Sequence, residues 1–255
     1  MPSTNGLYYF LHQGDDSATP PLLLIHGAGG SHLHWAPEIR RLNGFKVVAL
    51  DLPGHGKSEG IGLQSVNDYV EAVQDFMDAM DLPAAVIVGH SMGSAIALQL
   101  ALDAPDHVLA LVMVSGGSSL RVNPSILENA ANPATFPLAV KAINDWAFGA
   151  ECDPRLRELA AQRMQKETRP TVLYADFLAC NDFNASEQLE KVKNPTLILC
   201  GTDDKMTPLR HSHALHEAIA GSELVEIEGA GHMVALEKPR QVAEALEDFI
   251  DRLEI

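Results

Sequence analysis

Three side chains of this sequence have the types that nucleophilic catalysis uses, and each follows a run that is typical of a buried strand. Ser91 stands in the stretch VIVGHSMGSAIAL, where an apolar, β-branched run gives way to apolar residues at helical spacing. Asp204, with Asp203 beside it, follows the run 196–200, and His232 follows the run 223–227. A serine hydroxyl becomes a nucleophile when a histidine takes its proton and a carboxylate orients that histidine. These residue types therefore indicate nucleophilic attack by Ser91.

The glycines around Ser91 predict a sharp turn between a strand and a helix. Gly89 and Gly93 flank the serine and carry no Cβ atoms that would collide in such a turn. A residue held there takes a strained conformation at a helix N-terminus, where backbone N–H groups and the helix dipole favour a developing oxyanion. The Gly-x-Ser-x-Gly pattern by itself also fits a serine N-cap beside packing glycines, so its partners must decide.

The candidate partners of Ser91 follow two later strands. The segment GTDDKMTP (201–208) offers two aspartates, Asp203 and Asp204, and the segment GAGH ends at His232. In an open parallel sheet the residues that follow the strand ends converge on one crevice, so their separation along the chain is no obstacle. From the residues alone, both aspartates stay open as the acid.

Five motifs in register resemble those of the α/β-hydrolase fold family, and the resemblance covers nearly the whole chain. The chain order of serine, aspartate and histidine also resembles that of the family. Within the family, the sequence is similar to small carboxylesterases, enol-lactonases and carbon–carbon bond hydrolases that carry a helical lid. The motifs are HGAGG (26–30), DLPGHGKS (51–58), the turn at Ser91, GxxDxxxP (201–208) and GAGH (229–232).

The resemblance implies a role for individual residues. Ser91 would be the nucleophile and His232 the base, and the family spacing favours Asp204 over Asp203 as the acid. The backbone N–H groups of Ala28 and Met92 would form the oxyanion hole. Dehalogenases and epoxide hydrolases of this fold use an aspartate nucleophile, so a serine at position 91 argues against both. The implied reaction needs no metal and no organic cofactor.

The elements that must position these residues alternate between strand-like and helical patterns. Helical patterns at 68–80 and 91–104 separate the strand-like runs, which predicts a mostly parallel, doubly wound α/β sheet with helices on both faces. The segment 8–12 would add an antiparallel edge strand. The predicted parallel strands are 22–25, 46–50, 86–88, 108–114, 196–200 and 223–227.

Residues 117–193 break this alternation and predict several helices in a row. Gly149 ends the first, Asp153 caps the second, and Arg169 precedes the third. Because the insertion falls between two strands and after Ser91, we expect a helical cap, or lid, over the strand ends. The hydrolase core would then comprise residues 1–116 and 194–255.

The predicted lid contains several aromatic side chains and one helix with a largely apolar face. Four aromatic side chains could line a substrate pocket or form the lid's own core; they are Phe136, Trp146, Phe148 and Phe177. The middle helix is expected to pack through one face, formed by Leu156, Leu159, Ala160 and Arg163.

Composition limits the partners of the chain. Its 255 residues are 46% hydrophobic and 20% charged, which suits one large core, and its net charge of -16 would repel nucleic acid and anionic membranes. Neutral or cationic small molecules are therefore the favoured ligands. No apolar run approaches the roughly 18 residues of a membrane span, and the first ten residues lack the pattern of a signal peptide. Three cysteines without metal-like spacing indicate reduced thiols and a cytoplasmic location.

Other motifs receive simpler interpretations. A phosphate-binding loop ending at Lys57-Ser58 would need glycine where Asp51 stands, which disfavours nucleotide binding. His211, His213 and His216 have no acidic or thiol ligand at a usual metal spacing and indicate a solvated helix. The three histidines beside motif glycines are expected to shape loops through hydrogen bonds; they are His26, His55 and His90.

The sequence thus predicts a serine hydrolase that cleaves a neutral, fairly apolar carboxylic ester through an acyl-enzyme. An enol-lactonase or carbon–carbon bond hydrolase with the same three residues is an alternative, although most such substrates carry carboxylates. A local cation such as Arg121, Arg163 or Arg169 would have to bind that carboxylate. A small-molecule receptor on the same fold is a second alternative, because a fold alone does not define a function.

Overall fold

The computed structural model describes residues 2–14 and 19–253. Within these ranges, eight strands form one sheet in the order β1-β2-β4-β3-β5-β6-β7-β8. Parts of the predicted core at residues 1, 15–18, 254 and 255 lie outside the described residues. The strands are β1 (Ser3–Thr4), β2 (Leu7–His12), β3 (Leu22–Ile25), β4 (Val47–Leu50), β5 (Ala85–His90), β6 (Val108–Val114), β7 (Thr196–Gly201) and β8 (Glu223–Ile227).

Strand pairing confirms the predicted mostly parallel, doubly wound sheet. β3 pairs in parallel with both β4 and β5, and the parallel pairing continues through β6 and β7 to β8. β2 pairs antiparallel with β4, as expected for the segment 8–12, and β1 adds a short antiparallel strand outside it. The β-branched run of β5 is fully buried because helices cover both faces of a parallel sheet.

Ten α-helices accompany the sheet within the described ranges, and none of them is long and apolar enough to cross a membrane. Alternate residues of β3 enter two different hydrophobic clusters. Leu23 and Ile25 pack with α2 and α3, whereas Leu22 and Leu24 pack with α1 and α10 on the opposite face. The helices are α1 (Pro37–Arg40), α2 (Val66–Ala79), α3 (Met92–Asp103), α4 (Pro124–Ala131), α5 (Phe136–Ala147), α6 (Pro154–Glu167), α7 (Pro170–Asp182), α8 (Arg210–Ala218), α9 (Val234–Glu237) and α10 (Pro239–Ile250).

Helices α4 to α7 lie between β6 and β7, within residues 117–193, which we call the helical insertion. The chain enters and leaves it side by side, because Ser119 and Asn184 form a β-bridge and Ala185 N donates to Ser118 O at 2.8 Å. Side chains of α4, α5 and α7 form a hydrophobic cluster of their own. The insertion therefore has both a narrow neck and an internal core.

Two features of the helical insertion differ from the sequence pattern. Helix α4 is not predicted by that pattern, although Asn123 caps it through a 2.9 Å hydrogen bond from Ser125 N and Pro124 follows the cap. The predicted packing face of α6 is confirmed for Leu156 and Ala160, which are half-buried, and is wrong for Leu159, which is 62% exposed, and for the exposed Arg163. The half-buried face of α6 includes residues four apart, Leu156, Ala160 and Met164.

Candidate active site

Ser91 occupies the turn between β5 and α3 in a left-handed conformation, with φ 54° and ψ −116°. Such a conformation is strained for a residue with a side chain. A Cβ on Gly89 would meet the backbone of Gly93, and a Cβ on Gly93 would meet the carbonyl of Ile25. The structure thus contains the tight turn that the glycine pattern predicts. Ser91 is half-buried there, directly before the first turn of α3.

His232 and Asp204 form a buried pair at the ends of two neighbouring strands. Nδ1 of His232 donates to Oδ2 of Asp204 at 2.9 Å, and the two side chains are 4% and 0% exposed. Asp203 points elsewhere, since its Oδ2 accepts a 3.2 Å hydrogen bond from Ala150 N. The structure therefore couples Asp204, and not Asp203, to the imidazole.

Thr207 is a member of this arrangement that the sequence pattern does not predict. Oδ1 of Asp204 accepts from Met206 N at 2.8 Å and Thr207 N at 2.9 Å, and Oδ2 accepts from Thr207 Oγ1 at 2.8 Å. Burial would raise the pKa of Asp204, but the charge and hydrogen bond of His232, with the Thr207 bonds, hold it below its usual value. An ionised, fixed Asp204 keeps the proton on Nδ1 of His232 and leaves Nε2 free to act as a base.

The loop HGAGG passes directly against Ser91. A Cβ on Gly27 would lie 3.0 Å from Cβ of Ser91, and Ala28 lines the same cavity as Ser91. Met92 is the first residue of α3, where backbone N–H groups have no intrahelical acceptor. The oxyanion-hole role of the Ala28 and Met92 N–H groups stays a prediction from the family resemblance.

Two buried histidines hold the loops on either side of Ser91. Nε2 of His90 donates to the backbone oxygen of His232 at 2.9 Å. Nε2 of His26 accepts from Leu52 N at 3.0 Å, while its Nδ1 donates to Gly27 O at 2.8 Å. Burial and nearby histidines lower the pKa of His90 to about 3 and that of His26 to about 4. Both are neutral side chains that shape loops, as the sequence predicts.

Acid should destabilise the fold through His90. Its pKa is about 3 in the folded protein and about 6.5 in the unfolded chain, so the unfolded state binds more protons between these values and stability falls as pH drops. Lowering the pH from 7 to 5 should remove about 2 kcal/mol through this residue. Urea unfolding of the wild type and of His90→Gln at both pH values tests this, since glutamine keeps an amide donor. An equal loss in the two proteins would contradict the expectation.

A cavity of about 340 Å³ opens beside Ser91, between the sheet and the helical insertion. Ser91, Ala28 and His232 line it from the core. The insertion lines it with mostly apolar side chains, among them Leu120, Ile126, Ile143, Trp146 and Phe177. Side chains of the insertion and of the core thus share one cavity with Ser91 and His232.

The four aromatic residues of the insertion take different places. Trp146 and Phe177 line the 340 Å³ cavity, and Trp146 remains 42% exposed. Phe148 lines a smaller cavity of about 70 Å³, whereas Phe136 is buried within the hydrophobic cluster of the insertion. Two of the four, Trp146 and Phe177, therefore line the cavity beside Ser91, and the other two do not.

Two arginines, Arg121 and Arg210, line the cavity beside Ser91. Within the described part of the chain, neither forms an ion pair, and no aspartate or glutamate lines this cavity. Arg121 donates to the carbonyl of Asn181 at 3.3 Å, and Arg210 is exposed. Local charge in the cavity is therefore positive although the whole chain is acidic.

The other arginines considered as substrate cations lie outside this cavity. Arg163 lines the smaller cavity, 3.9 Å from Glu167. Arg169 donates to the carbonyls of Gly54 and Gly60 and so joins the insertion to the loop after β4. Of Arg121, Arg163 and Arg169, only Arg121 lines the cavity beside Ser91.

The loop DLPGHGKS, which lacks a glycine that a phosphate-binding loop needs, is held in place by its own Asp51. Asp51 is buried and accepts from Lys57 N at 2.9 Å within its own loop and from His32 N at 2.6 Å in the segment after β3, so it joins the two segments. Across residues 2–14 and 19–253, no group of three or more histidine, cysteine, aspartate or glutamate side chains is arranged to hold a metal ion.

The three histidines of α8 do not act together. His213 lies 3.0 Å from Glu226, and His216 lies 3.0 Å from Ser222. His211 instead lines the cavity beside Ser91, where burial and the charge of Arg210 lower its pKa. His213 and His216 are exposed, as a solvated helix predicts, whereas His211 is half-buried in the wall of the cavity.

All three cysteines are free thiols in the described structure. Burial raises the pKa of Cys200 to about 11. Cys180 lines the cavity beside Ser91, but burial and the nearby Asp176 raise its pKa well above the usual value. Because the thiolate is the nucleophilic form, Cys180 is a poor rival to Ser91.

Comparisons with known proteins bear on the family and the fold of the chain. Residues 22–245 match the family described as "Alpha/beta hydrolase family". The chain is 32% identical to the solved structure of a thermophilic esterase, with a TM-score of 0.82 over 97% of this chain and 99% of that chain. It is 29% identical to the putative carbamate hydrolase RutD of Caulobacter vibrioides, over 98% of this chain and 97% of that protein. The enol-lactonase of Burkholderia xenovorans LB400 shares the fold, with 23% identity and a TM-score of 0.88 over 98% of each chain.

Proposed function

The chain belongs to the alpha/beta hydrolase family, and from that premise we propose that it cleaves a neutral, fairly apolar carboxylic ester through an acyl-enzyme at Ser91. One observation carries the proposal. A strained, half-buried Ser91 and the buried His232–Asp204 pair line or adjoin one cavity at the ends of neighbouring parallel strands. This arrangement suits a serine nucleophile with its base and acid.

The proposed reaction uses groups of the chain and water. Nε2 of His232 takes the proton of Ser91 Oγ as that oxygen attacks the carbonyl carbon. The N–H groups of Ala28 and Met92 donate to the resulting oxyanion. His232 then gives its proton to the leaving alcohol, and Ser91 holds the acyl group. His232 then deprotonates a water molecule, which attacks the acyl carbon, and returns that proton to Ser91 Oγ as the acid leaves. Asp204 accepts the hydrogen bond from Nδ1 of His232 throughout.

The shape of the cavity supports an apolar acyl or alcohol group of modest size. Its volume of about 340 Å³ lies at the lower end of small-molecule sites, which span roughly 300 to 1,000 Å³. Most of the wall contributed by the insertion is aliphatic or aromatic. Burial of apolar surface against this wall would supply most of the binding free energy.

Arg121 and Arg210 favour a second candidate function. Among the described residues, neither arginine forms an ion pair and no aspartate or glutamate lines the cavity, which suits a substrate that carries its own carboxylate. An enol-lactonase or carbon–carbon bond hydrolase with the same triad would use them to hold that group away from Ser91. A receptor built on this fold is the remaining alternative, and it would bind a ligand without turning it over.

A series of nitrophenyl esters of increasing acyl length, run beside a nitrophenyl ester with a terminal carboxylate, separates these candidates. The main proposal predicts multiple turnovers on neutral esters and a preferred chain length. A kcat/KM that is higher for the carboxylate-bearing ester would favour the second candidate. A protein that binds the esters but hydrolyses none of them would contradict both and favour the receptor.

Trp146→Ala should change substrate preference more than chemistry, because we propose that residues 117–193 are a lid over the core formed by 1–116 and 194–255. A methylene in an apolar pocket changes discrimination by about 1 to 3 kcal/mol. The variant should prefer a different ester length, while kcat on an acetate ester stays within about tenfold, or roughly 1.4 kcal/mol. Leu138→Ala is the control, since Leu138 lies on the same helix, is 56% exposed and does not line this cavity. An equal loss on all esters would limit Trp146 to packing.

A further inference from the structure

Asp176 is a fully buried carboxylate that the proposed reaction does not use. It lies in the middle of α7 among apolar neighbours such as Val172, Leu173 and Phe177. A carboxylate in such surroundings is costly unless donors surround it. Its position therefore calls for a specific role.

Three donors from the core satisfy Asp176. Its Oδ2 accepts from Gly29 N at 2.7 Å and from His55 Nε2 at 2.8 Å, and its Oδ1 accepts from Tyr69 OH at 2.5 Å. Burial would lower the pKa of His55, but the charge and hydrogen bond of Asp176 outweigh it and raise that pKa. One side chain of the insertion thus joins the HGAGG loop, the loop after β4 and helix α2.

The insertion holds Gly29 through both of its backbone groups. Its N–H donates to Asp176, and its carbonyl accepts from Thr168 Oγ1 at 2.7 Å. Gly29 has a left-handed φ of 63°, and a Cβ there would come within 2.8 Å of Leu173. The peptide planes on both sides of Gly29 are therefore fixed by residues of α7 and the segment just before it.

We propose that Asp176 and Thr168 position the oxyanion hole by clamping Gly29, the residue after Ala28. This inference rests on the proposed function, because it assigns the oxyanion role to the Ala28 N–H. Oxyanion donors act only when they are aimed at the developing charge before the reaction begins. The helical insertion would then set the catalytic geometry as well as the shape of the cavity, with Asp176 as a positioning residue.

The clamp also identifies α7 as the fixed part of the lid. Moving α7 away would break all three hydrogen bonds of the Asp176 carboxylate at once, which disfavours that movement. Substrate entry would therefore involve other parts of the insertion, such as the exposed edge of the cavity at Trp146.

Four variants test the clamp. Asp176→Ala removes the acceptor of Gly29 N–H, and Asp176→Asn retains one carbonyl acceptor for it. Thr168→Val removes the second contact with little change of shape and serves as the test if Asp176→Ala does not fold. Tyr69→Phe is the matched control, because it removes one hydrogen bond from Asp176 and leaves both contacts to Gly29.

The kinetic readout is kcat on an acetate ester for each active site titrated with a phosphonate, so that only folded sites count. Loss of a whole oxyanion donor costs about 10²- to 10³-fold, so a misplaced one should cost less. We expect Asp176→Ala to lower kcat by roughly 10- to 100-fold with KM within about threefold, and Thr168→Val by a few fold. Asp176→Asn should recover most of the loss, and Tyr69→Phe should lower the melting temperature with kcat near that of the wild type.

Amide hydrogen exchange gives a readout that does not depend on activity. Exchange in a peptide spanning residues 27–32 should accelerate in Asp176→Ala and Thr168→Val and stay unchanged in Tyr69→Phe. Unaltered exchange in Asp176→Ala and Thr168→Val would overturn the clamp, whether or not the wild type hydrolyses esters. A wild type that hydrolyses no ester would overturn the proposed function, and the exchange result would still test the clamp. If the wild type is active and Tyr69→Phe lowers kcat as much as Asp176→Ala does, Asp176 has only a structural role.

Discussion

Ser91→Ala is expected to lower kcat for ester hydrolysis by about 10³- to 10⁶-fold, as removal of a triad nucleophile does. The strained turn should persist, because alanine also carries a Cβ and the turn depends on the small neighbours Gly89 and Gly93. KM should change little, since the cavity wall is intact. Steady-state kinetics with a nitrophenyl ester and thermal unfolding of the variant check both parts.

Ser119→Ala is the matched control for this experiment. Ser119 lines the same cavity as Ser91 but has no role in the proposed reaction. Its loss should leave kcat within about threefold, because a side chain without differential contact to the transition state contributes little to kcat. A Ser91→Ala protein that retains wild-type kcat would contradict the serine mechanism.

Asp204→Asn is expected to lower kcat by about 10³-fold or more, because its amide would favour the wrong tautomer of His232. The asparagine carbonyl can still accept from Met206 N and Thr207 N, so the turn itself should survive. Steady-state kcat on the same nitrophenyl ester measures the effect.

Asp203→Asn is the neighbouring control. Asp203 contacts Ala150 N and not His232, so its amide variant should keep kcat within about threefold of the wild type. A larger loss at position 203 than at 204 would show that the acid has been misassigned. If both variants lose kcat to a similar, large extent, activity depends on the turn as a whole and not on one carboxylate.

Much of the architecture follows from patterns that are local in the sequence. The buried strands are readable because a parallel sheet covered on both faces selects continuous apolar runs, as in β5. The turn at Ser91 is readable because only glycine fits at positions 89 and 93. Local pattern alone does not select the aspartate that pairs with His232, since Asp203 and Asp204 are adjacent. The family spacing favours Asp204, and in the structure hydrogen bonds from residues 206 and 207 hold its carboxylate beside His232.

Features that depend on contacts between distant parts of the chain cannot be predicted from local patterns. The donors of Asp176 lie 107, 121 and 147 residues away along the chain, so no spacing rule connects them. The net charge of -16 likewise does not predict a cavity lined by Arg121 and Arg210, because the total charge of the chain does not show how charges are distributed. A single acidic residue within the apolar run of α7 is the local signal that points to Asp176.

Reaction with a fluorophosphonate, followed by peptide mass spectrometry, tests the serine nucleophile most directly. The reagent mimics the tetrahedral intermediate, so it bonds to a serine that His232 activates and that the oxyanion hole faces. We expect one adduct per chain, on the peptide that contains Ser91, with ester hydrolysis lost in proportion to labelling. An adduct on another residue such as Cys180, or continued hydrolysis by a chain fully labelled at Ser91, would contradict the proposed function.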